Sequence, residues 1–385
     1  MDKQPLRNIA DIQTGPFGSQ LHKKDYVSVG TPIVTVEHLG KRVFTEQNLP
    51  KVSDADRAWL SKYILSEGDI VFSRVGSVDR CSYVDKAHVG WMFSGRCLRV
   101  RPSFNVDPMY LYYFFCLEDT KHFIRSIAVG ATMPSINTKL LGDIEVPLPK
   151  LDTQKKIATL LSTLDSKIET NQQINDNLQQ QAMELYAEMF LNRSDNDVTA
   201  GTLSDIAVIT MGQSPSGSSY NEDAVGEVFY QGRAEFGFRF PKRRLFTTEP
   251  KRMAVAGDVL LSVRAPVGDL NVAYERCCIG RGLGAIHTKT GHSSFILYTM
   301  FALKSQLDVF NGEGTVFGSI NRDALNAIPI DIPLLTKIDR FEAVAHPIDE
   351  LIRTNYEENC RLETIRDALL PKLMSGEIDV SDVKL

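Results

Sequence analysis

The residues best placed for chemistry in this sequence are suited to binding and not to catalysis. Thr14-Gly15-Pro16-Phe17-Gly18-Ser19 and Met211-Gly212-Gln213-Ser214-Pro215-Ser216 stand at equivalent places in the two halves of the chain. Their glycines would let backbone amides approach a phosphate closely, and a plain turn is the other reading. Lys23 and Lys24 follow the first of these segments. Arg74 and Arg264 each follow a strand pattern that opens with Gly-Asp, and Arg96 and Arg281 each follow a glycine. All four are candidates to touch phosphate or to hold a loop in place. Arg239, Lys242, Arg243 and Arg244, beside Phe236, Phe238 and Phe240, form the densest basic and aromatic run, for which a solvated charge run is the alternative. Asn137 and Asn321 are expected to cap one-turn helices ending at Gly142 and Asn326 rather than to read bases.

Motifs for catalysis are missing. There is no G-x-x-x-x-G-K-[ST] phosphate loop, no H-E-x-x-H, no glycine-rich cofactor loop paired with an Asn- or Asp-Pro-Pro-aromatic motif, and no nuclease carboxylate-lysine cluster. Asp107-Pro108-Met109-Tyr110 lacks the second proline of an aminomethyltransferase motif and reads as a helix start. The histidines show no ligand spacing. The six cysteines form no C-x-x-C pair, so neither a zinc site nor a disulfide framework is signalled and reduced thiols in or near a core are expected.

With 385 residues, 43% of them apolar, the chain is long enough for two or three domains. No apolar run approaches the roughly 18 to 20 residues of a membrane span, and MDKQPLRNIA lacks a secretory pattern, so a cytoplasmic location is the expectation. The net charge of -5 argues against indiscriminate coating of nucleic acid. It divides unevenly: residues 1–150 carry +3, residues 151–200 carry -4, residues 201–335 are neutral and residues 336–385 carry -4. The acidity therefore sits in two segments that read as helical.

Self-similarity is the strongest signal. Leu6, Ile9, Ala10 and Gly15 repeat as Leu203, Ile206, Ala207 and Gly212; Gly68-Asp69 repeats as Gly257-Asp258; Gly95-Arg96 repeats as Gly280-Arg281. The offset drifts from 197 through 189 to 185, then settles at 184 from Ser135/Ser319 onward, through Asp165/Asp349, Asn171/Asn355, Asn175/Asn359 and Leu185/Leu369. Each repeat thus has a divergent front part and a matched back part. The boundaries expected are a front domain over 1–150, a central helical region and linker over 151–200, a second front domain over 201–335 and a C-terminal helical region over 336–385.

The front parts mix short strand patterns (residues 33–36, 69–72 and 259–262) with one amphipathic helix each, around Tyr110 to Ile127 and Phe295 to Phe310, which reads as α+β. In the back parts, Ser162-Thr163-Leu164-Asp165 fits a capping box and Pro347 replaces Thr163, so both long helices are expected to start there after a short separate helix. Leu164, Ile168, Asn171, Asn175 and Leu178 then alternate four and three apart, as do Ile348, Ile352, Asn355, Asn359 and Leu362, with Pro371 expected to end the second helix before Leu373. An antiparallel pair about a pseudo-twofold would set Asn171 against Asn359 and Asn175 against Asn355. Solvated or partner-facing asparagines are the alternative. A helix over 163–191 would span about 42 Å at ~1.5 Å per residue, longer than one turn of B-DNA at roughly 34 to 36 Å.

The segments TGPFGSQLHKKDY, GATMPSINTKLLGDIEVPLPKLDTQKKI, LDSKIETNQQINDNL, GSINRDALNAIPIDIPLL and LLPKLMSGEI, in this order and duplicated, resemble the specificity subunit of a type I restriction-modification system. The resemblance covers nearly the whole chain. It implies two target-recognition domains, each reading one half of a bipartite asymmetric duplex, with paired helices setting the gap and docking two methyltransferase subunits. Those partners would bind S-adenosylmethionine and methylate adenine, and restriction subunits using ATP and Mg could join; this chain would hold no cofactor or metal. Against it stand a free-standing DNA methyltransferase or nuclease, and a coiled-coil scaffold with no DNA role.

Overall fold

A computed structural model describes residues 2–18, 20–192, 198–312, 318–381 and 383. It is an α+β chain that divides into two compact units, residues 1–169 with 359–385, and residues 170–358.

Each unit is built on the same four-stranded antiparallel sheet. In the first the order is Ala10–Thr14, Cys97–Pro102, Ile70–Ser73, Cys81–Tyr83; in the second it is Ala207–Met211, Leu283–Thr288, Val259–Ser262, Leu270–Val272. The central strands are buried along their whole length because apolar side chains cover both faces: Ile70 and Phe72 lie in one core and Val71 in another. The Gly-Asp pair repeats because it closes the turn into that central strand. Gly68 and Gly257 have φ of 88° and 89°, which only glycine adopts without strain. The aspartates then bind their own turns, Asp69 accepting from Ser66 N at 2.8 Å and Asp258 from Val255 N at 2.9 Å. Each also holds a cationic or imidazole partner from the strand alongside, Arg101 at 2.7 Å and His287 at 2.6 Å.

A further sheet of short strands lies in each unit and differs between them: three strands in the first unit, five in the second. Both keep one parallel pairing, Ile33 with Met92 and Phe229 with Cys278. The helical segment after the main sheet is two helices in the first unit, Pro108–Cys116 and Glu118–Ile127, and Ser293–Ala302 followed by Lys304–Asp308 in the second, where a single amphipathic helix is expected; Tyr110–Phe115 and Ser294–Met300 are buried throughout, so the first helix of each pair is not amphipathic. Asp107 caps the first of these, accepting from Tyr110 N at 2.9 Å with Pro108 as its first residue.

The long helices correct two expectations. The first runs unbroken from Leu151 to Tyr186 and closes in a π-turn over Ala187–Leu191; the second runs from Leu335 to Ser375. Neither starts near Ser162 or Pro347. Ser162 and Thr163 bond back to the Thr159 carbonyl at 3.2 and 2.7 Å, so their hydroxyls join the helix ladder instead of capping it. Pro347 and Pro371 sit inside the second helix, and Pro371 does not end it. An internal proline costs about 3 kcal/mol. Here the adjacent turns bury Ala345 and Ile352, and Leu370, Leu373 and Met374, which offsets that cost.

Within each unit, stretches of the two long helices pair antiparallel. In the first, Asp165 meets Arg366 at 2.8 Å and the Ile168 carbonyl accepts from Asn359 at 3.4 Å. In the second, Asn355 Nδ2 donates to Asn175 Oδ1 at 2.8 Å, Asn175 donates to the Ile352 carbonyl at 3.4 Å, and Asn171 donates to Glu358 at 2.7 Å. All four asparagines are buried. Of the apolar seam positions, Ile168 and Ile352 are buried and Leu164, Leu178, Ile348 and Leu362 half-buried.

The six thiols are free, and Cys360 is exposed rather than buried. Burial pushes the Cys97 and Cys277 thiols up to about 12. Alkylation of the native protein at pH 8, followed by peptide mass mapping, is expected to modify Cys360 first and to reach Cys97 and Cys277 only after denaturant is added.

Candidate nucleic-acid interface

The glycine segments are welded to the turn that precedes the second strand of each main sheet. Gly15 donates to the Cys97 carbonyl at 3.1 Å and Gly212 to the Leu283 carbonyl at 2.9 Å. A Cβ on Gly15 would lie 2.1 Å from the Ser94 oxygen, and one on Gly212 would lie 2.1 Å from the Gly280 oxygen, so no other residue fits either place. The turn reading and the binding reading are therefore compatible: the glycine makes a fixed turn, and the residues after it project from that turn. Phe17 is 55% exposed at its tip, with the Arg74 guanidinium over its ring at 5.6 Å. Gly18 has open space around it. In the second unit Gln213 is exposed, and Ser214 accepts from Arg281 N at 3.3 Å.

Sheet register fixes which residues of the two units correspond. Ser73 pairs with Cys97 as Ser262 pairs with Leu283. Arg74 N donates to the Arg96 carbonyl at 2.8 Å as Val263 N donates to that of Gly282 at 3.0 Å. Ile136 N then donates to the Arg74 carbonyl and Ile320 N to the Val263 carbonyl. Arg74 thus corresponds to Val263, Arg264 to Val75, Arg96 to Gly282, and Gly95 to Arg281. The matched Gly-Arg pair of the sequence is displaced by one residue in space. The structural offset there is 186, and an alignment by residue identity slides past it.

Gln231 is a member of this surface that the sequence does not single out. It is exposed, and Gly280 and Gly282 lie so close to its backbone that a Cβ on either would come within 2.9 and 2.7 Å of it. Those two glycines were the available signal. Arg96, Arg264, Arg281 and Lys24 are exposed, and Arg74 is half-buried. Ser19 and the side chain of Lys23 lie outside the described residues.

The basic run of the second unit is less available than its composition suggests. Arg239 is buried, donating to Asp349 at 2.6 Å, to Gln179 at 3.1 Å and to the Tyr298 hydroxyl at 3.3 Å. Burial pulls its pKa down and the Asp349 charge more than offsets this, so it stays charged. A surface role for Arg239 is thereby replaced by a structural one. Arg243 pairs with Glu275, and Arg244 with Glu235 at 2.6 Å and Glu222 at 3.2 Å; Lys242 is exposed. Asn137 and Asn321 cap their one-turn helices, accepting from Leu140 N at 2.9 Å and Ala324 N at 2.8 Å.

Among the described residues no group of three or more His, Cys, Asp or Glu is placed to hold a metal ion, and no helix is long and apolar enough to cross a membrane.

Residues 2–180 match the family model for the type I restriction modification DNA specificity domain. A Methanocaldococcus jannaschii protein assigned as the type I restriction enzyme MjaX specificity subunit is 32% identical, over 97% of this chain and 93% of its own length. The MjaIX specificity subunit of the same organism is 24% identical over 73% of this chain and 72% of its own. The crystal structure of the type I restriction-modification system S subunit from M. genitalium covers 97% of this chain and 95% of its own, at a TM-score of 0.58 and 16% identity, a likeness of fold alone.

Arg239→Ala is expected to lower the stability of the second unit by about 3 to 5 kcal/mol, because Asp349 would be left without its buried cation. Chemical denaturation measures this. The sequence preference of the folded protein should not change.

Proposed function

We propose, from the premise that this chain belongs to the type I restriction-modification DNA specificity subunits, that its two units divide a bipartite duplex target between them. A member of that family recognises DNA and is not itself an enzyme. Each front domain would read one half-site, and because the fronts diverge, the half-sites would differ. The observation that carries this reading is the shared main sheet with its welded glycine turn, set beside loops that differ: Phe17 in one unit stands where Ser214 stands in the other, and Gln231 stands where the first unit has Thr35. A constant scaffold that presents variable side chains is what two readers of unlike sequence require.

The long helices would serve as spacer and docking frame, arranged about a pseudo-twofold in the manner of a tandem repeat. At 36 and 41 residues they are about 54 and 62 Å long at ~1.5 Å per residue, more than one helical turn of duplex. The antiparallel contacts within each unit support such a pairing. Two adenine methyltransferase subunits, which would hold S-adenosylmethionine, are the partners this frame would take in the cytoplasm. Restriction subunits using ATP and Mg would join where the system cleaves. The candidate interface would comprise Gly15, Phe17, Gly18, Lys24, Arg74 and Arg96 in one unit, and Gly212, Gln213, Ser214, Gln231, Arg264 and Arg281 in the other.

Co-expression with the methyltransferase subunit of the same system, followed by mapping of methylated adenines, tests this directly. A gapped, asymmetric motif is expected. A continuous motif, or methylation without a motif, would sink the reading.

A further inference from the structure

Arg74 and Arg264 leave the backbone at positions one residue apart in the common register, yet their guanidinium groups end on equivalent main-chain oxygens. Arg74 Nη1 donates to the Gly95 carbonyl at 3.1 Å, and Arg264 Nε donates to the Arg281 carbonyl at 3.3 Å. Gly95 and Arg281 are the corresponding residues. Successive residues of extended chain point to opposite sides, so a one-residue slip ordinarily carries a side chain away from its neighbours. Here it does not. What the two units hold in common is therefore the place of a positive charge and not the residue that supplies it.

That place adjoins the glycine turn in both units. Gly15 packs against Ser94 and Gly212 against Gly280, each the residue immediately before the carbonyl that holds the arginine. A guanidinium has five N–H donors, and one carbonyl occupies one of them. The remainder stay available to a ligand at the mouth of the turn. Neither arginine forms an ion pair within the distance of a salt bridge in the described structure, in contrast to Arg243 and Arg244.

We infer that Arg74 and Arg264 are equivalent phosphate anchors, one for each unit, which fix the duplex against the glycine turn without reading its sequence. The inference rests on the DNA-recognition reading above. Two domains that read unlike half-sites can share only contacts that carry no sequence information, and the phosphate backbone is the part of a duplex that is the same in every sequence. Reading then falls to positions where the units differ, such as Phe17 against Ser214.

The test uses the full chain assembled with its methyltransferase subunits. Binding to the mapped target and to an unrelated duplex of equal length is measured as a function of salt. Arg74→Ala and Arg264→Ala are each expected to weaken binding to both duplexes by a similar factor, roughly ten-fold, the scale of one charge-assisted hydrogen bond. Each should flatten the log-log salt slope by about 0.9 and leave the methylated motif unchanged. Arg74→Lys and Arg264→Lys keep the charge and should keep the slope, which separates loss of a phosphate contact from loss of folding. A motif that changes at a base position in either alanine variant would overturn the inference in favour of base reading. Unchanged affinity and slope in both would overturn it by making the arginines spectators. If the wild-type complex itself shows no gapped motif, the proposed function fails first; a wild-type motif with normal arginine variants sinks the anchor alone.

Discussion

One carboxylate on each long helix, buried at Asp165 and half-buried at Asp349, sets the terms for the rest of the molecule. Asp165 accepts from the Tyr113 hydroxyl at 2.5 Å and Asp349 from the Tyr298 hydroxyl at 2.8 Å. Burial raises both tyrosines above their ordinary range, with Asp165 adding to it at Tyr113 and Arg239 partly opposing it at Tyr298, so both hydroxyls keep the proton they donate. A charge taken out of water needs a cation as well, and the two units find one differently. Arg366, from the paired helix, serves Asp165; Arg239, from the front domain, serves Asp349. The residue that stands where Arg366 would stand in the second unit is Ala182, fully buried. Leaving either aspartate unpaired would cost several kcal/mol, so the helix of the main sheet, the long helix and the arginine's own element must arrive together.

The asparagines act in the same sense along the helix pairs. Apolar residues in their places would bury as well and cost nothing in desolvation. A polar pair such as Asn175 with Asn355 instead penalises every register in which the two do not meet. Stability is given up for a fixed alignment of helices. The contact from Arg42 to Glu169 in the first unit, and from Tyr274 to Glu357 in the second, ties front domain to helix at further points.

Much of this could be read in the sequence. The offset of 184 located the matched parts, and its alignments include Asp165 with Asp349, the two carboxylates on which the units depend. Caps were legible because they are local: Asp107 with Pro108, Asn137 and Asn321 each satisfy amides three residues away. What was not legible depends on partners distant in the chain. Composition placed Arg239 on a basic surface, and only the fold brings Asp349, 110 residues on, to bury it. The long helices started earlier than their capping signal because tertiary burial carries a helix through Thr163 and Pro347 alike. The displaced arginines show the limit of identity as a guide, since Gly95-Arg96 and Gly280-Arg281 match as letters and not in space.

The central claim is that the matched scaffold supports and the divergent front reads. It is tested most directly by replacing the second front part with a copy of the first, the exchange made within the main sheet at Ala10/Ala207 and after Ser135/Ser319, and mapping methylated adenines for the assembled complex. The account predicts a target made of two copies of the first half-site. Retention of the original second half-site would contradict it.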